Sequence, residues 1–339
     1  MTAPAVIQFD VFESAHIDEV LAMDRVSTPS LRDDADLLER HSPFRPPGSV
    51  HGLLVPGRAG GIMHVDSATN EASLGWFSAS DHDSGVALLE AGCRVAFAAG
   101  ARAVVGPKNI STWRRYRCVV DDDGTTPPFL LEPMTQPLVQ GCLEAAGFTV
   151  ARRYATVRIP HVEVSLTKVA MAKAQAAGVR FVPLEDRSDD DFVDIIHGLA
   201  DTAFQHKTGY RPVGRDHVAF LYGHSRALLV PGCSWLAESD DGRPLGFVVA
   251  WPDVTTMTSA TPTTVVKTLG VAPSAPSFLG WALMHRHVVW AREHGFSHGL
   301  YALMEKARPL LRYARAPARM GGETGTVFRR YALYARQHP

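Results

Sequence analysis

The chain has 339 residues, 46% of them hydrophobic and 20% charged, with 34 Lys and Arg against 35 Asp and Glu. That length holds about two globular domains, and the balanced charge lacks the basic surplus of a nucleic-acid binder. No apolar run reaches the ~18 residues of a membrane span, and the start, MTAPAVIQFDVFESAH, lacks the basic and long apolar stretches of a leader.

Residues 7–14 read as a strand and 16–25 as a helix, followed by a Pro-rich loop over 28–49. HGLLVPGRAGGIMHV holds two strand-like runs around a Gly-rich turn, the mark of a hairpin. EASLGWF (71–77) is a strand, and 85–100 a helix stopped by Gly100. Residues 101–106 form a short buried strand, 136–148 a helix and 149–159 a strand. A small helical segment over 160–178 marks the domain boundary.

The order then repeats: strand 178–184; helix 189–204, opened by acidic residues that suit its dipole; and a hairpin of CSWLAES and LGFVVAW around DDGRP. A strand follows at 263–272, a helix at 277–295, a strand at 298–304, a helix over ARPLLRYAR and a final strand at 326–336. Repetition of element order predicts a mixed α/β sheet in each half. The domains are 1–160 and 178–339, joined by a linker over 161–177. Cys93, Cys118, Cys142 and Cys233 form no CxxC pair and read as the reduced, buried thiols of a cytoplasmic protein. The histidines form no metal-ligating pattern: His285 and His287, two apart on one helix, point to different faces.

Particular words carry a resemblance. GPKNISTWRRYR (106–117), FLLEP (129–133) and LEAAGF (143–148) resemble segments of a bacterial group of tandem GNAT-like (N-acetyltransferase-like) proteins, and KTLGVAP (267–273) resembles the cofactor strand of GNAT enzymes. ALMEKARP (302–309) and RRYALYAR (329–336) are similar to the family's closing segments. The resemblance implies two tandem GNAT-like domains, an N-acyltransferase activity and a thioester donor, either acetyl-CoA or another acyl-CoA, or an acyl group borne on the phosphopantetheine of an acyl carrier protein. The acceptor is then a small-molecule amine.

It also implies site residues. Leu269, Gly270, Val271 and Ala272 form the strand edge that would pair with pantetheine amides, and Gly270 would let a ligand approach closely or mark a bulge. Ser277, Phe278, Leu279 and Gly280 would offer amides to the phosphates. The family's Arg/Gln-x-x-Gly-x-Gly/Ala is reduced here to SAPSFLGWA, without a basic residue and with Pro276 removing a donor; Ser277 is equally an N-cap. In the first half, Asp81 and Asp83 stand where phosphate would go, which assigns donor binding to the second half. Tyr313 matches the thiolate-protonating tyrosine by spacing, although Lys306 replaces the usual Asn. Glu238 and Asp253 are candidate bases, Asp253 being an equally natural turn former. His206 and Tyr210 lie where the acceptor would be covered. Asn109, Trp113 and Arg117 line either an acceptor pocket or a packing contact. Two other functions fit such a chain: a non-catalytic binding module, favoured by the reduced phosphate loop, and an aminoacyl transferase.

Overall fold

The computed structural model describes residues 4–27, 38, 42–43, 45–122, 124, 126–162, 165–207, 209–223, 229–305 and 325–339. Contacts divide the chain into two units, Met1–Tyr154 with Arg329–Pro339, and Ala155–Phe328. The last strand therefore belongs with the first unit, and the segment 161–177 carries a helix that packs within the second.

The first unit contains β1 (Ile7–Asp10), α1 (His16–Ser27), β2 (Ser49–Val55), β3 (Ala59–Asp66), β4 (Glu71–Ala79), α2 (His82–Ala98), β5 (Ala103–Gly106), β6 (Cys118–Asp121) and α3 (Pro137–Ala145). Strands β1 to β4 pair antiparallel in sequence order, whereas β5 lies parallel to β4. A parallel partner needs a crossover, and α2 supplies it. One face of this sheet carries α2 and α3 over a core that includes Leu53, Met63, Leu88 and Leu143. The other carries α1, with Val20, Leu54, Ile62 and Trp76 between.

The second unit begins within β7 (Thr149–Pro160) and continues through α4 (Ser165–Ala176), β8 (Arg180–Pro183), α5 (Asp189–Phe204), α6 (Arg215–Tyr222), β9 (Trp235–Glu238), β10 (Pro244–Pro252), β11 (Thr263–Val271), α7 (Leu279–Glu293) and β12 (His298–Glu305). Strands β8 to β11 pair antiparallel and β12 lies parallel to β11, the same plan as the first unit. Helix α7 lies on the sheet and α4 packs on α7, enclosing Trp235, Val248, Leu283 and Trp290. The chain closes with β13 (Thr326–Gln337). Its residues from Arg329 onward pair with β5 and β6 in the first unit, burying Tyr331, Ala332 and Tyr334.

Most elements lie where the hydrophobic spacing predicts. Helix α5 spans the expected residues, because the Ser188 hydroxyl accepts from Asp191 N at 3.1 Å and three aspartates fill the first turn. Helix α2 starts three residues earlier than predicted, because Asp81 caps it. Strand β6 and helix α6 were not expected. The helix predicted over ARPLLRYAR lies outside the described residues, as does Tyr313. All four cysteines are buried and free, and burial pushes their thiol pKa values up. Among the described residues no helix is long and apolar enough to cross a membrane.

Candidate acyl-donor cleft

In the second unit β11 has two neighbours over only half its length. Its ladder with β12 runs from Thr263↔His298 to Val266↔Tyr301, while its ladder with β10 continues to Gly246↔Val271. The β10 register shifts between Val249 and Ala250, which leaves Lys267 as the extra residue of a bulge where the β12 ladder stops. Beyond it, one edge of β11 has no strand beside it among the described residues.

The alternation of an antiparallel ladder decides which groups face that edge. Ala272 N donates to Leu245 O at 2.9 Å, so Ala272 is turned toward β10. Two residues back, Gly270 must turn the same way, and Leu269 and Val271 therefore point their N–H and C=O groups to the open side. Of the four residues expected to pair with pantetheine, Leu269 and Val271 alone turn their backbone groups to the open edge. Gly270 has another explanation: a Cβ there would stand 2.7 Å from Cε1 of Phe247. The aromatic ring across the ladder takes the side-chain space.

Helix α7 begins beside this edge. Its N-cap is Phe278, and no side chain caps it. Ser277 is exposed and does not act as the cap. Leu279 N donates to Pro276 O and Ala282 N to Phe278 O, both within the turn itself. A methyl group at Gly280 would lie 3.7 Å from both Leu269 Cδ2 and Val271 Cγ2. Strand edge and helix start are thus neighbours.

The first unit repeats the geometry with its edge occupied. A Leu-Gly pair followed ten residues later by Gly occurs twice, as Leu74, Gly75 and Gly85 and as Leu269, Gly270 and Gly280. In β4 the counterparts of the open-edge groups are satisfied by the chain itself: Lys108 N donates to Leu74 O at 2.6 Å, and Trp76 N donates to Asn109 Oδ1 at 2.9 Å. A Cβ at Gly75 would stand 2.8 Å from Asn109 Cα. The helix start is filled as well. Asp81 Oδ1 accepts from Ser84 N at 3.0 Å, and Arg58 Nε donates to Asp81 Oδ2 at 3.0 Å. The bond from Ser84 and the Arg58 charge hold this carboxyl below its ordinary pKa.

Segment 106–117 is accordingly interior structure. Asn109 and Arg117 are buried, and Trp113 is half-buried. The Arg117 guanidinium lies 3.8 Å from the ring centre of Tyr116 and 4.1 Å from that of Tyr154. The cavity beside Trp76, Asn109 and Arg117 is about 10 Å³, room for one water at most.

The remaining candidates are dispersed. Glu238 is buried at the end of β9, with Arg187 at 2.6 Å and Arg180 at 3.5 Å. Asp253 follows the opposite end of β10, where Oδ1 accepts from the amide and hydroxyl of Thr255 at 3.1 and 2.8 Å. Nine residues of strand, roughly 30 Å, separate its level from that of Pro244, the register partner of Glu238, so the two carboxylates do not share a site. The Tyr210 hydroxyl donates to Asp201 Oδ1 at 3.1 Å, and His206 is exposed.

One buried polar chain has no counterpart in the expected residues. The His287 Nδ1 lies 3.0 Å from Cys233 O, which only accepts, so Nδ1 carries the proton. His287 Nε2 then accepts from the Thr264 hydroxyl at 3.0 Å, and Thr264 accepts from His161 Nε2 at 3.0 Å. Burial lowers the pKa of His287 to about 4 and that of His161 well below its ordinary value. Spacing in the sequence gives no sign of this chain, because its members are 103 and 23 residues apart. Among the described residues no three His, Cys, Asp or Glu side chains gather as a metal site.

Comparison with known proteins gives the fold. No family model matches the sequence, and no curated protein matches it. Among solved structures, a tandem GNAT protein from the clavulanic acid biosynthesis pathway aligns over 99% of both chains, with a TM-score of 0.52 and 13% identity. A GCN5-related N-acetyltransferase from Anabaena variabilis aligns over 98% of this chain and 73% of its own, at TM-score 0.57 and 10% identity. Eis1 from Mycobacterium abscessus covers 98% of this chain and 74% of its own, at TM-score 0.52 and 12% identity. With two units of one plan, each splayed at the same point of its sheet, the chain has the tandem GNAT fold.

Proposed function

We propose that this protein is an N-acyltransferase that holds a thioester donor in its second unit and transfers the acyl group directly to the amine of a small molecule. The observation that supports this most is the unpaired edge of β11 at Leu269 and Val271, beside a helix start that no side chain caps. Pantetheine carries peptide-like amides, and such an edge accepts them as it would another strand. The amides of Ser277, Phe278 and Gly280 and the exposed Ser277 hydroxyl then face the donor's phosphates, the Leu279 amide being used within the turn. The donor is acetyl-CoA, another acyl-CoA, or a carrier protein's acyl-phosphopantetheine.

In the reaction the neutral amine attacks the thioester carbonyl. The C–N bond forms, the C–S bond breaks, the amine loses a proton and the thiolate gains one. Tyr313 is proposed as the acid for the thiolate, with His206 and Tyr210 beside the acceptor. Glu238 and Asp253 remain the proposed bases; their engagement with two arginines and with Thr255 favours a second reading, in which the unit binds a thioester without turning it over.

Calorimetric titration with acetyl-CoA and, separately, with phosphopantetheine tests the donor site. The decisive variant is Val271→Pro, which deletes an open-edge N–H without removing a β10 ladder bond. Acetyl-CoA binding is expected to weaken about tenfold with the circular dichroism spectrum unchanged. Undiminished affinity in a folded variant would remove the strand edge from the site. Binding of both compounds by the wild type with no acyl transfer to any amine would leave the non-catalytic reading.

A further inference from the structure

We propose that residues 108 and 109 are a permanent internal occupant of the first unit's donor edge, so that each chain holds one thioester and never two. The second half of this statement rests on the donor reading above; the first half stands on the geometry alone.

The occupant makes the contacts a pantetheine arm would make. It gives an N–H to Leu74 O and a carbonyl oxygen to Trp76 N, the counterparts of the outward-facing groups of Leu269 and Val271. It enters over a glycine, since any side chain at position 75 would collide with Asn109 Cα, Asn109 Oδ1 and Lys108 O, all within 2.9 Å. The helix start is filled in parallel by the Asp81 carboxylate, a negative charge where a donor phosphate would lie.

The segment is also anchored too firmly to act as a gate. Lys108 is fully buried, with Nζ 2.6 Å from Glu71 Oε1. Arg115 Nη2 donates to both oxygens of Asp24 at 2.6 Å. Arg117 N donates to Pro107 O at 2.8 Å, closing the segment on itself. Trp76, Ile110 and Arg117 all hold left-handed backbone, with φ of 47°, 67° and 82°. Such conformations persist in non-glycine residues only where surrounding contacts enforce them. Displacing the segment would break the ion pair of the fully buried Lys108 and the part-buried pair of Arg115 and Asp24, a greater cost than a donor's few edge bonds could offset.

Amide hydrogen exchange and native mass spectrometry on the full chain test this. Trp76 N–H is expected to exchange slowly in the free protein, to be unaffected by saturating acetyl-CoA, and to exchange about tenfold faster in Asn109→Ala. Val271 N–H is expected to exchange rapidly in the free protein and to slow when acetyl-CoA binds, with one acetyl-CoA per chain by mass. Two acetyl-CoA per chain, or a Trp76 amide whose exchange changes on adding acetyl-CoA, would overturn the proposal. If acetyl-CoA does not bind at all, the donor reading fails, and the Trp76 amide still decides the occupant. Slow exchange in the wild type upholds it even if Asn109→Ala does not fold, and rapid exchange overturns it.

Discussion

Gly75 and Gly270 hold the same place in the two copies of one short word, yet different neighbours require them. At Gly270 the obstacle to a side chain is the Phe247 ring, which has rotatable bonds. At Gly75 the obstacles include backbone atoms of Lys108 and Asn109, which are pinned. Gly75→Ala is therefore expected to destabilise by more than about 3 kcal/mol, the upper end of ordinary overpacking, and Gly270→Ala by about 1–3 kcal/mol. Urea denaturation of the two variants checks this, and equal losses would mean that the segment at 108–109 yields as readily as a ring. The glycines themselves are visible in the sequence. What each one accommodates is not, because Asn109 and Phe247 reach them from 34 positions downstream and 23 upstream.

Helix starts show how local chemistry sets an element's function. Helix α2 is capped by Asp81, whereas α7, the corresponding crossover, has no capping side chain. The stretch SAPSFLG offers Ser277 as a natural cap, but the helix begins two residues later, at Leu279. The polar chain through His161, Thr264 and His287 ties α7 to β11 and to the turn before β9. It works with neutral imidazoles, which brings a pH dependence. His287 has an ordinary pKa of 6.5 when unfolded and about 4 when folded, so below pH 6.5 the unfolded chain binds more protons than the native one. Stability is complete above about 6.5 and declines as pH falls toward 4, by up to about 3 kcal/mol from this residue; His161 shifts in the same direction. Urea midpoints at pH 7 and pH 5 test it, with a lower midpoint expected at pH 5 and a smaller difference in His287→Gln. Long periodic elements such as α5 were legible in the sequence because periodicity and caps agree. The four-residue β6, the eight-residue α6 and the bulge at Lys267 were not, since each depends on partners far away in the chain.

At the scale of the molecule, the sequence order of elements repeats cleanly, but the spatial division does not follow it. Residues 329–339 complete the first unit. Arg329, 1% exposed, donates to Glu132 Oε2 at 2.5 Å, to Asp122 Oδ1 at 3.0 Å and to Thr126 O at 2.8 Å, and the Tyr331 hydroxyl donates to Glu132. The words FLLEP and RRYALYAR, far apart in sequence, are two sides of this buried contact. Deleting residues 329–339 is expected to abolish cooperative unfolding of the first unit, because β5 and β6 would lose their shared strand partner and Glu132 its bonds to Arg329 and Tyr331. Limited proteolysis would then cut preferentially before residue 155; cleavage confined to the second unit would contradict the assignment. The same arrangement sets an order on synthesis. The first unit is translated first but lacks its closing strand until about 170 further residues, Ala155–Phe328, have been made. At about 5–20 residues per second that wait is on the order of 10–30 s. Through that wait the earlier-made unit keeps an unpaired sheet edge, a template for other chains, and it is over this interval that the nascent protein most needs a chaperone.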